Sequence, residues 1–257
     1  MGTAKDNAIN LYLEGIQKGK PREAVAAYTG DRYTQHSTGV ADGAEGFIAF
    51  FEPFLKRNPV RDFKVLRALQ DGRYVFLQVY QNINNGEAEW LTTDFFDSDE
   101  HGKIVEHWDV IAPVKPANSS GRTQMDGPTE ITDLDRGAEN KALVVEFIKR
   151  CLVGREIERM ADFINADKYM QHNAEMGDGL EAFVELFGRD DCALKYEECF
   201  LVVAEGNFVA TLNRASRDGQ ELCQVDVFRV EDGKIVEHWD NSEDVPPREQ
   251  WANSGKF

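Results

Sequence analysis

Gly102–Asp109 reads GKIVEHWD, and Gly233–Asp240 reads GKIVEHWD again. Eight identical residues in succession, twice in a chain of 257, mark a duplication. A second match extends it upstream. Residues 33–51 (YTQHSTGVADGAEGFIAFF) align without a gap on residues 169–187 (YMQHNAEMGDGLEAFVELF). Tyr33, Gln35, His36, Asp42, Gly43, Glu45, Phe47 and Phe51 thus recur as Tyr169, Gln171, His172, Asp178, Gly179, Glu181, Phe183 and Phe187. The period is that of a small domain and far exceeds a solenoid unit. Two homologous domains are expected, over residues 1–115 and 139–257. The stretch between them is rich in Pro, Gly, Ser and Thr and reads as a linker over 116–138, its far end wrapping or disordered.

Each copy gives the same order of signals. Helices are expected at 4–18 and 21–28, the second opening on Pro at its first position, with counterparts at 140–153 and 155–164. A short extended piece then carries Tyr-x-Gln-His. A third helix is expected to start at Asp42 or Asp178, with Glu45 or Glu181 placed for a capping box. Phe47, Phe50, Phe51, Phe54 and Leu55 fall on one face of it, Pro53 is expected to kink it, and Gly188 stops its counterpart early. The remainder reads as strands at 62–69, 73–83, 87–97 and 103–114 and their counterparts, turned by Asp71-Gly72, Asn85-Gly86, Asp218-Gly219 and Asp232-Gly233. Helices followed by an antiparallel meander make an α+β fold.

Composition narrows the partners. Acidic residues number 46 against 29 basic, a formal charge of −17, which repels phosphate backbones and anionic lipid. Neither a nucleic acid nor a membrane is an expected partner. No apolar run is long enough to span a bilayer, and the start of the chain lacks a signal-peptide pattern and, after Met1-Gly2, a myristoylation pattern. Cys151, Cys192, Cys199 and Cys223 form no Cys-x-x-Cys, so reduced thiols and a cytoplasmic location are expected. No Gly-rich phosphate loop, nucleophile elbow or Cys–His signature occurs, and no cofactor is expected. The acidic runs Asp97–Glu100, Asp190-Asp191 and Glu243-Asp244 read as solvated turns.

The last hairpin places the candidate chemistry. A three-residue turn at 231–233 and a four-residue turn at 99–102 set Asp226 opposite His238 and Asp94 opposite His107. A strict two-residue turn at 232–233 instead sets Asp226 opposite Trp239. With the first registers, strand alternation puts Asp109 on the face of His107 and Asp240 on that of His238, with Trp90, Thr92 and Phe96 beside Asp94. Trp108 and Trp239 point the other way, toward an interface or core. If the first face lines a pocket, burial and like charge raise the pKa of at least one carboxyl in each domain, equipping it for proton transfer beside a carbonyl. In the alternative reading, His107 and His238 brace the hairpin, and His36 and His172 brace the third helix. A two-His-one-carboxylate metal set with His36 or His172 is weighed against this, and no metal is expected.

Tyr-x-Gln-His before a Phe-rich helix, then Asp-x-Phe and Gly-Lys-Ile-Val-Glu-His-Trp-Asp on a terminal hairpin, resembles the SnoaL-like polyketide cyclases of the nuclear transport factor 2-like superfamily. The resemblance covers most of both copies but not the linker or the C-terminal tail. It implies two cone-shaped domains, each with three helices against a curved antiparallel sheet, arranged as an intrachain pseudo-dimer, with further self-association as an alternative. It implies a cofactor-independent enzyme acting on a small apolar carbonyl compound by polyketide cyclase, aldol or isomerase chemistry. Asp109 and Asp240 would be the acid/base residues, assisted by Asp94 and Asp226 and by His107 and His238. His36, His172, Tyr33, Tyr169, Trp90, Phe96 and Phe228 are the candidate substrate contacts. A non-catalytic ligand-binding or interaction module is the rival reading. Epoxide chemistry, which needs an Asp-Arg-Asp set, ranks lower because Arg229 has no counterpart at Asp97.

Overall fold

In the computed structural model, residues 2–189 and 191–257 are described; Met1 and Asp190 lie outside them. The chain divides into two units. Unit 1 is Met1–Pro113 together with Pro246–Phe257, and unit 2 is Val114–Val245.

Unit 1 opens on α1 (Ala4–Asn10), which runs on as a π-helical stretch, Leu11–Gln17. Thr3 and Asp6 close a reciprocal capping box at its start. Then come α2 (Pro21–Tyr28), β1 (Thr29–Gln35), α3 (Gly43–Arg57), β2 (Arg61–Asp71), β3 (Tyr74–Ile83), β4 (Ala88–Ser98) and β5 (Ile104–Pro113). The strands form one sheet in the order β1-β5-β4-β3-β2, with β1 parallel to β5 and the rest antiparallel. Pro53 sits inside α3 without ending it. Asp42 precedes α3 but its side chain does not cap it; Oδ1 accepts from the Gln35 amide at 2.8 Å instead. The helices bury Leu11, Ile16, Val25 and Phe47 against Val75, Leu77, Val79 and Phe96 of the sheet.

Unit 2 repeats this plan with α4 (Gly137–Phe147, continued by a π-helical stretch, Ile148–Val153), α5 (Met160–Phe163), β6 (Met170–Gln171), α6 (Leu180–Gly188), β7 (Leu194–Glu205), β8 (Phe208–Arg217), β9 (Gln220–Glu231) and β10 (Lys234–Asp244). The sheet order β6-β10-β9-β8-β7 matches that of unit 1 strand for strand. The expected helix at 155–164 shrinks to a 3-10 turn at Ile157–Arg159 and the four-residue α5. Asp178 is not a cap either: α6 begins after Gly179, and Asp178 accepts from the Gln171 amide and Arg122. Both units are α+β, as the order of signals requires. Among the described residues no helix is long and apolar enough to cross a membrane.

Two expectations from sequence need correction. The first is the hairpin register. Asp94 lies opposite Asp109 and Asp226 opposite Asp240, while Phe96 and Phe228 lie opposite His107 and His238. The pairing skips Val105 in β5 and Val236 in β10, so each repeated octapeptide carries its own β-bulge. Turn and bulge together slide the pairing by two residues. A shift of two preserves the face, so the aspartates and histidines still share one side.

The second correction concerns 116–138 and the tail. Residues 114–138 pack as part of unit 2, and 246–257 as part of unit 1. The segments resemble each other: Ala117-Asn118-Ser119-Ser120-Gly121-Arg122 against Ala252-Asn253-Ser254-Gly255-Lys256. Asn118 Nδ2 donates to the carbonyls of Gln171, Asn173 and Met176 at 2.6, 3.2 and 2.7 Å. Asn253 Nδ2 donates to those of Ser37 and Val40, the counterparts of Asn173 and Met176, at 2.6 and 2.9 Å. Each unit is thus completed by the segment that follows the other unit's last strand. Gly127 (φ 88°) shows how close this packing is, since a Cβ there would lie 2.7 Å from Trp239. Of the acidic runs, Asp97 is buried and bonded to Arg73 instead of solvated.

Candidate active site

The parallel pairing of β1 with β5 sets Gln35 beside His107. The Ser37 amide donates to Gln35 Oε1 at 3.0 Å, which fixes the orientation of the Gln35 amide. Gln35 therefore presents the same oxygen to His107 Nδ1 at 2.7 Å, and Nδ1 is the donor. In the neutral ring Nε2 then carries no proton. Nε2 lies 2.9 Å from Asp94 Oδ1, so one proton is held between Asp94 and His107. The Tyr12 hydroxyl donates to the same Oδ1 at 2.8 Å and lies 3.1 Å from the Thr92 hydroxyl. Asp94 Oδ2 is buried with no hydrogen-bond partner among the described residues.

Burial pushes the Asp94 carboxyl above its ordinary pKa, more than His107 pulls it down. Asp109, directly across the strand pair, is driven the other way. Burial raises it, but the Lys256 ammonium and His107 outweigh that and hold it below the usual carboxylate range. Lys256 is 1% exposed; its Nζ donates to Asp109 Oδ1 at 2.8 Å and to the Asp109 carbonyl at 2.6 Å. Burial and the nearby Asp94 also keep the Tyr12 phenol protonated, far above its ordinary pKa.

Asp109, His107 and Tyr12 face a cavity of about 220 Å³ walled mainly by apolar side chains of the helices and sheet, with Tyr33, Trp90 and Phe96 among them. Gln35, Ser37 and Gln81 are its remaining polar side chains. Phe50, 42% exposed, lies on its lining.

Unit 2 reproduces the hydrogen-bond chain. The Asn173 amide donates to Gln171 Oε1 at 2.9 Å, His238 Nδ1 donates to the same oxygen at 2.9 Å, and His238 Nε2 lies 2.9 Å from Asp226 Oδ1. The phenol, however, comes from elsewhere. Tyr196 of β7 donates to Asp226 at 2.9 Å. Tyr12 stands 21 residues before Tyr33, and Ile148 stands 21 before Tyr169. Tyr196 pairs across to Ala215 as Phe63 pairs to Gln81. Asn213 Nδ2 and Gln224 Nε2 also donate to Asp226, at 2.8 and 3.2 Å, so both of its oxygens are occupied. Asp240 has Asn173 Nδ2 at 2.6 Å where Asp109 has the ammonium. Burial, with Asp226 adding to it, raises the Asp240 carboxyl above its ordinary pKa despite His238. The cavity here is about 210 Å³, lined by Asp226, Asp240, His238 and Phe228, with Glu175 and Arg217 as further charged side chains.

The structure thus brings together ten of the expected residues: Asp94, His107, Asp109, Tyr33, Trp90 and Phe96 in unit 1, and Asp226, His238, Asp240 and Phe228 in unit 2. It separates His36 and His172 from them. Each follows the glutamine by one residue and so turns to the opposite face of the sheet. His36 stacks on Trp108 (4.7 Å between centroids), donates to the Gly255 carbonyl at 2.6 Å and meets Glu106 at 2.9 Å. His172 stacks on Trp239 (4.5 Å), donates to the Thr123 carbonyl at 2.7 Å and meets Glu237 at 2.8 Å. Both anchor the crossing segments. Tyr169 is core, stacked on Phe183, and is not on the cavity lining. Arg229 bonds Glu237 at 2.7 Å, away from the aspartates, so no Asp-Arg-Asp set forms. His36 and His172 also cannot join a metal set with the strand residues. Asp94, His107 and Asp109 each bring one atom within 4.8 Å of the others, but the cation at Asp109 is the Lys256 ammonium, and the trio is not read as a metal site. Tyr12, Tyr196, Gln35, Gln171 and Lys256 were not among the expected site residues.

Residues 9–107 match the family model described as a SnoaL-like domain. No curated protein matches the chain. Solved structures similar to parts of it include a candidate ketosteroid isomerase from Kribbella flavida, 17% identical, over 44% of this chain and 84% of that one, with a TM-score of 0.39. A candidate polyketide cyclase from Bacillus cereus is 18% identical over 41% of this chain and 71% of its own, with a TM-score of 0.37. An LEH-like epoxide hydrolase from M. tuberculosis is 18% identical over 42% of this chain and 85% of its own, with a TM-score of 0.36.

Proposed function

Since this chain is SnoaL-like in its first unit and repeats that unit's sheet order in its second, we propose that unit 1 is a cofactor-independent acid/base site for a small apolar carbonyl compound, of isomerase, aldol or cyclase type. The observation that carries the reading is a pair of adjacent carboxyl groups, Asp109 on the wall of an apolar hollow and Asp94 behind Tyr12 and His107 of that wall, with Asp94 held above and Asp109 below the ordinary range. Such a split supports Asp94 as the acid and Asp109 as the base.

Asp109 removes a proton from the carbon beside the carbonyl, and the C–H electron pair becomes the C=C of an enol. The carbonyl oxygen takes a proton from the Tyr12 hydroxyl, which is resupplied by Asp94. Returning the proton to another carbon isomerises the compound. Attack by the enol carbon on a second carbonyl of the same molecule closes a ring: that C=O opens to an oxygen that takes the proton held by Asp109, and the enol O–H proton returns through Tyr12 to Asp94 as the first carbonyl re-forms. A cavity of 150 Å³ holds benzene, so about 220 Å³ suits roughly nine or ten non-hydrogen atoms.

Incubation with small apolar ketones and diketones in deuterium oxide tests this. The protein should catalyse deuterium uptake beside the carbonyl, and Asp109→Asn should slow it about 10²- to 10⁴-fold. No uptake across the series refutes the reading.

For unit 2 the donor-saturated Asp226 favours a second reading, a pocket that binds an apolar ligand without transforming it. Asp240→Asn should then leave the deuterium-uptake rate unchanged.

A further inference from the structure

We propose that Lys256, delivered by the segment that follows unit 2, is a positioning residue of the unit 1 site and makes unit 1 the base-bearing pocket of the two. The inference deepens the proposed function and rests on it for its catalytic consequence.

A buried ammonium is costly unless paired, and Lys256 is among the most buried charged side chains of the chain. Its ammonium is bound to a carboxylate on the cavity wall and to that residue's own carbonyl. The groups facing Asp109 are Asp94 on β4, His107 on β5, Tyr12 on the first helix, Tyr33 on β1 and Lys256 on the tail. Among these, Lys256 is the fixed cation. Without it, Asp109 would face a second carboxyl in an apolar hollow, as Asp240 does in unit 2.

The paired segments explain why only one unit has the cation. Arg122 follows Gly121 as Lys256 follows Gly255, but one extra serine precedes it, and it bonds Asp178 at 2.8 Å instead of Asp240. His36 holds the Gly255 carbonyl, and Asn253 the Ser37 and Val40 carbonyls, so the tail is pinned at two points just before Lys256. Lys256 touches Asp109 and acts through it, favouring the carboxylate form that accepts the proton.

Side-chain carboxyl carbon NMR of the full chain reads this directly, with or without a known substrate. In the native protein Asp109 should titrate at lower pH than Asp240. In Lys256→Met its titration should move up by about 1–3 pH units, with Asp240 unmoved, and Lys256→Arg should restore most of the native value. The acid limb of the deuterium-uptake rate should move with it. If Lys256→Met does not fold, the native comparison of Asp109 with Asp240 decides. Asp109 titrating with or above Asp240, or not moving in Lys256→Met, overturns the inference even where deuterium uptake is found. A shifted Asp109 without any uptake leaves Lys256's role standing and refutes the proposed function.

Discussion

Asp94→Asn should separate catalysis from stability. Asparagine matches aspartate in shape, and its Nδ2 has two hydrogens for the two neighbours that now meet Oδ1. One can go to His107 Nε2 and the other to the Tyr12 oxygen, while Tyr12 turns its own proton to Thr92. The amide oxygen then takes the place of Oδ2, which has no partner to lose. Two hydrogen bonds are exchanged for two, so the change in stability should stay within about 1 kcal/mol apart from ionisation. Ionisation adds a signed contribution. Asp94 is held above its ordinary pKa in the fold, so native stability falls as pH rises through that value. The variant lacks this loss and should gain on the native protein from acid to neutral pH. Turnover should fall about 10²- to 10⁴-fold, some 3–5 kcal/mol of barrier, because no proton remains to give. The assays are deuterium uptake at a fixed ketone concentration and urea denaturation at pH 4 and pH 7. Uptake within a few-fold of native, or a variant that gains nothing on the native protein in stability between pH 4 and pH 7, refutes the assignment of Asp94 as a buried acid.

Three further outcomes are expected. Asn253→Ala and Asn118→Ala each remove a side-chain donor that ties backbone carbonyls of the loop beside it, and each should cost about 1–3 kcal/mol in urea denaturation, whereas a free linker and tail would show no change. Gly127→Ala should cost about 1–3 kcal/mol, because the residue needs positive φ and its Cβ would press on Trp239; a neutral result would place 116–127 off the unit 2 surface. Asp240→Asn should stabilise the protein at neutral pH and lose that advantage as pH falls below the Asp240 titration, since a carboxyl raised by burial favours folding only while protonated; thermal melts at several pH values give the sign.

The duplication, the strand boundaries and the face shared by the aspartates and histidines were legible because each depends on local identity or on period-two alternation. Register was not, since a bulge at valine leaves no mark in hydropathy: Val105 and Val236 look like any strand residue. His36 and His172 were misplaced because their side of the sheet depends on which residue of Tyr-x-Gln-His meets β5 or β10, and that is a long-range pairing. The crossing segments did leave a signal, Ala-Asn-Ser before Gly-Arg and Gly-Lys, but their composition is that of linkers. Nothing in the sequence near Asp109 announces Lys256, 147 residues away.

The same octapeptide builds both hairpins, yet the two pockets differ in charge. The differences come from outside it. Tyr12 and Tyr196 reach the strand aspartates from different elements, with Ile148 and Phe63 in the alternate places, so the phenol contact is kept while its route has changed. Asn213 and Gln224 add donors to Asp226, whereas one oxygen of Asp94 stays open. Lys256 reaches Asp109, whereas Arg122 stops at Asp178. A retained His-Trp-Asp strand therefore preserves a scaffold for a carboxyl pair, and its neighbours decide which member carries a proton. On that account, the charge of the two pockets is governed less by the residues the chain repeats than by the few it does not.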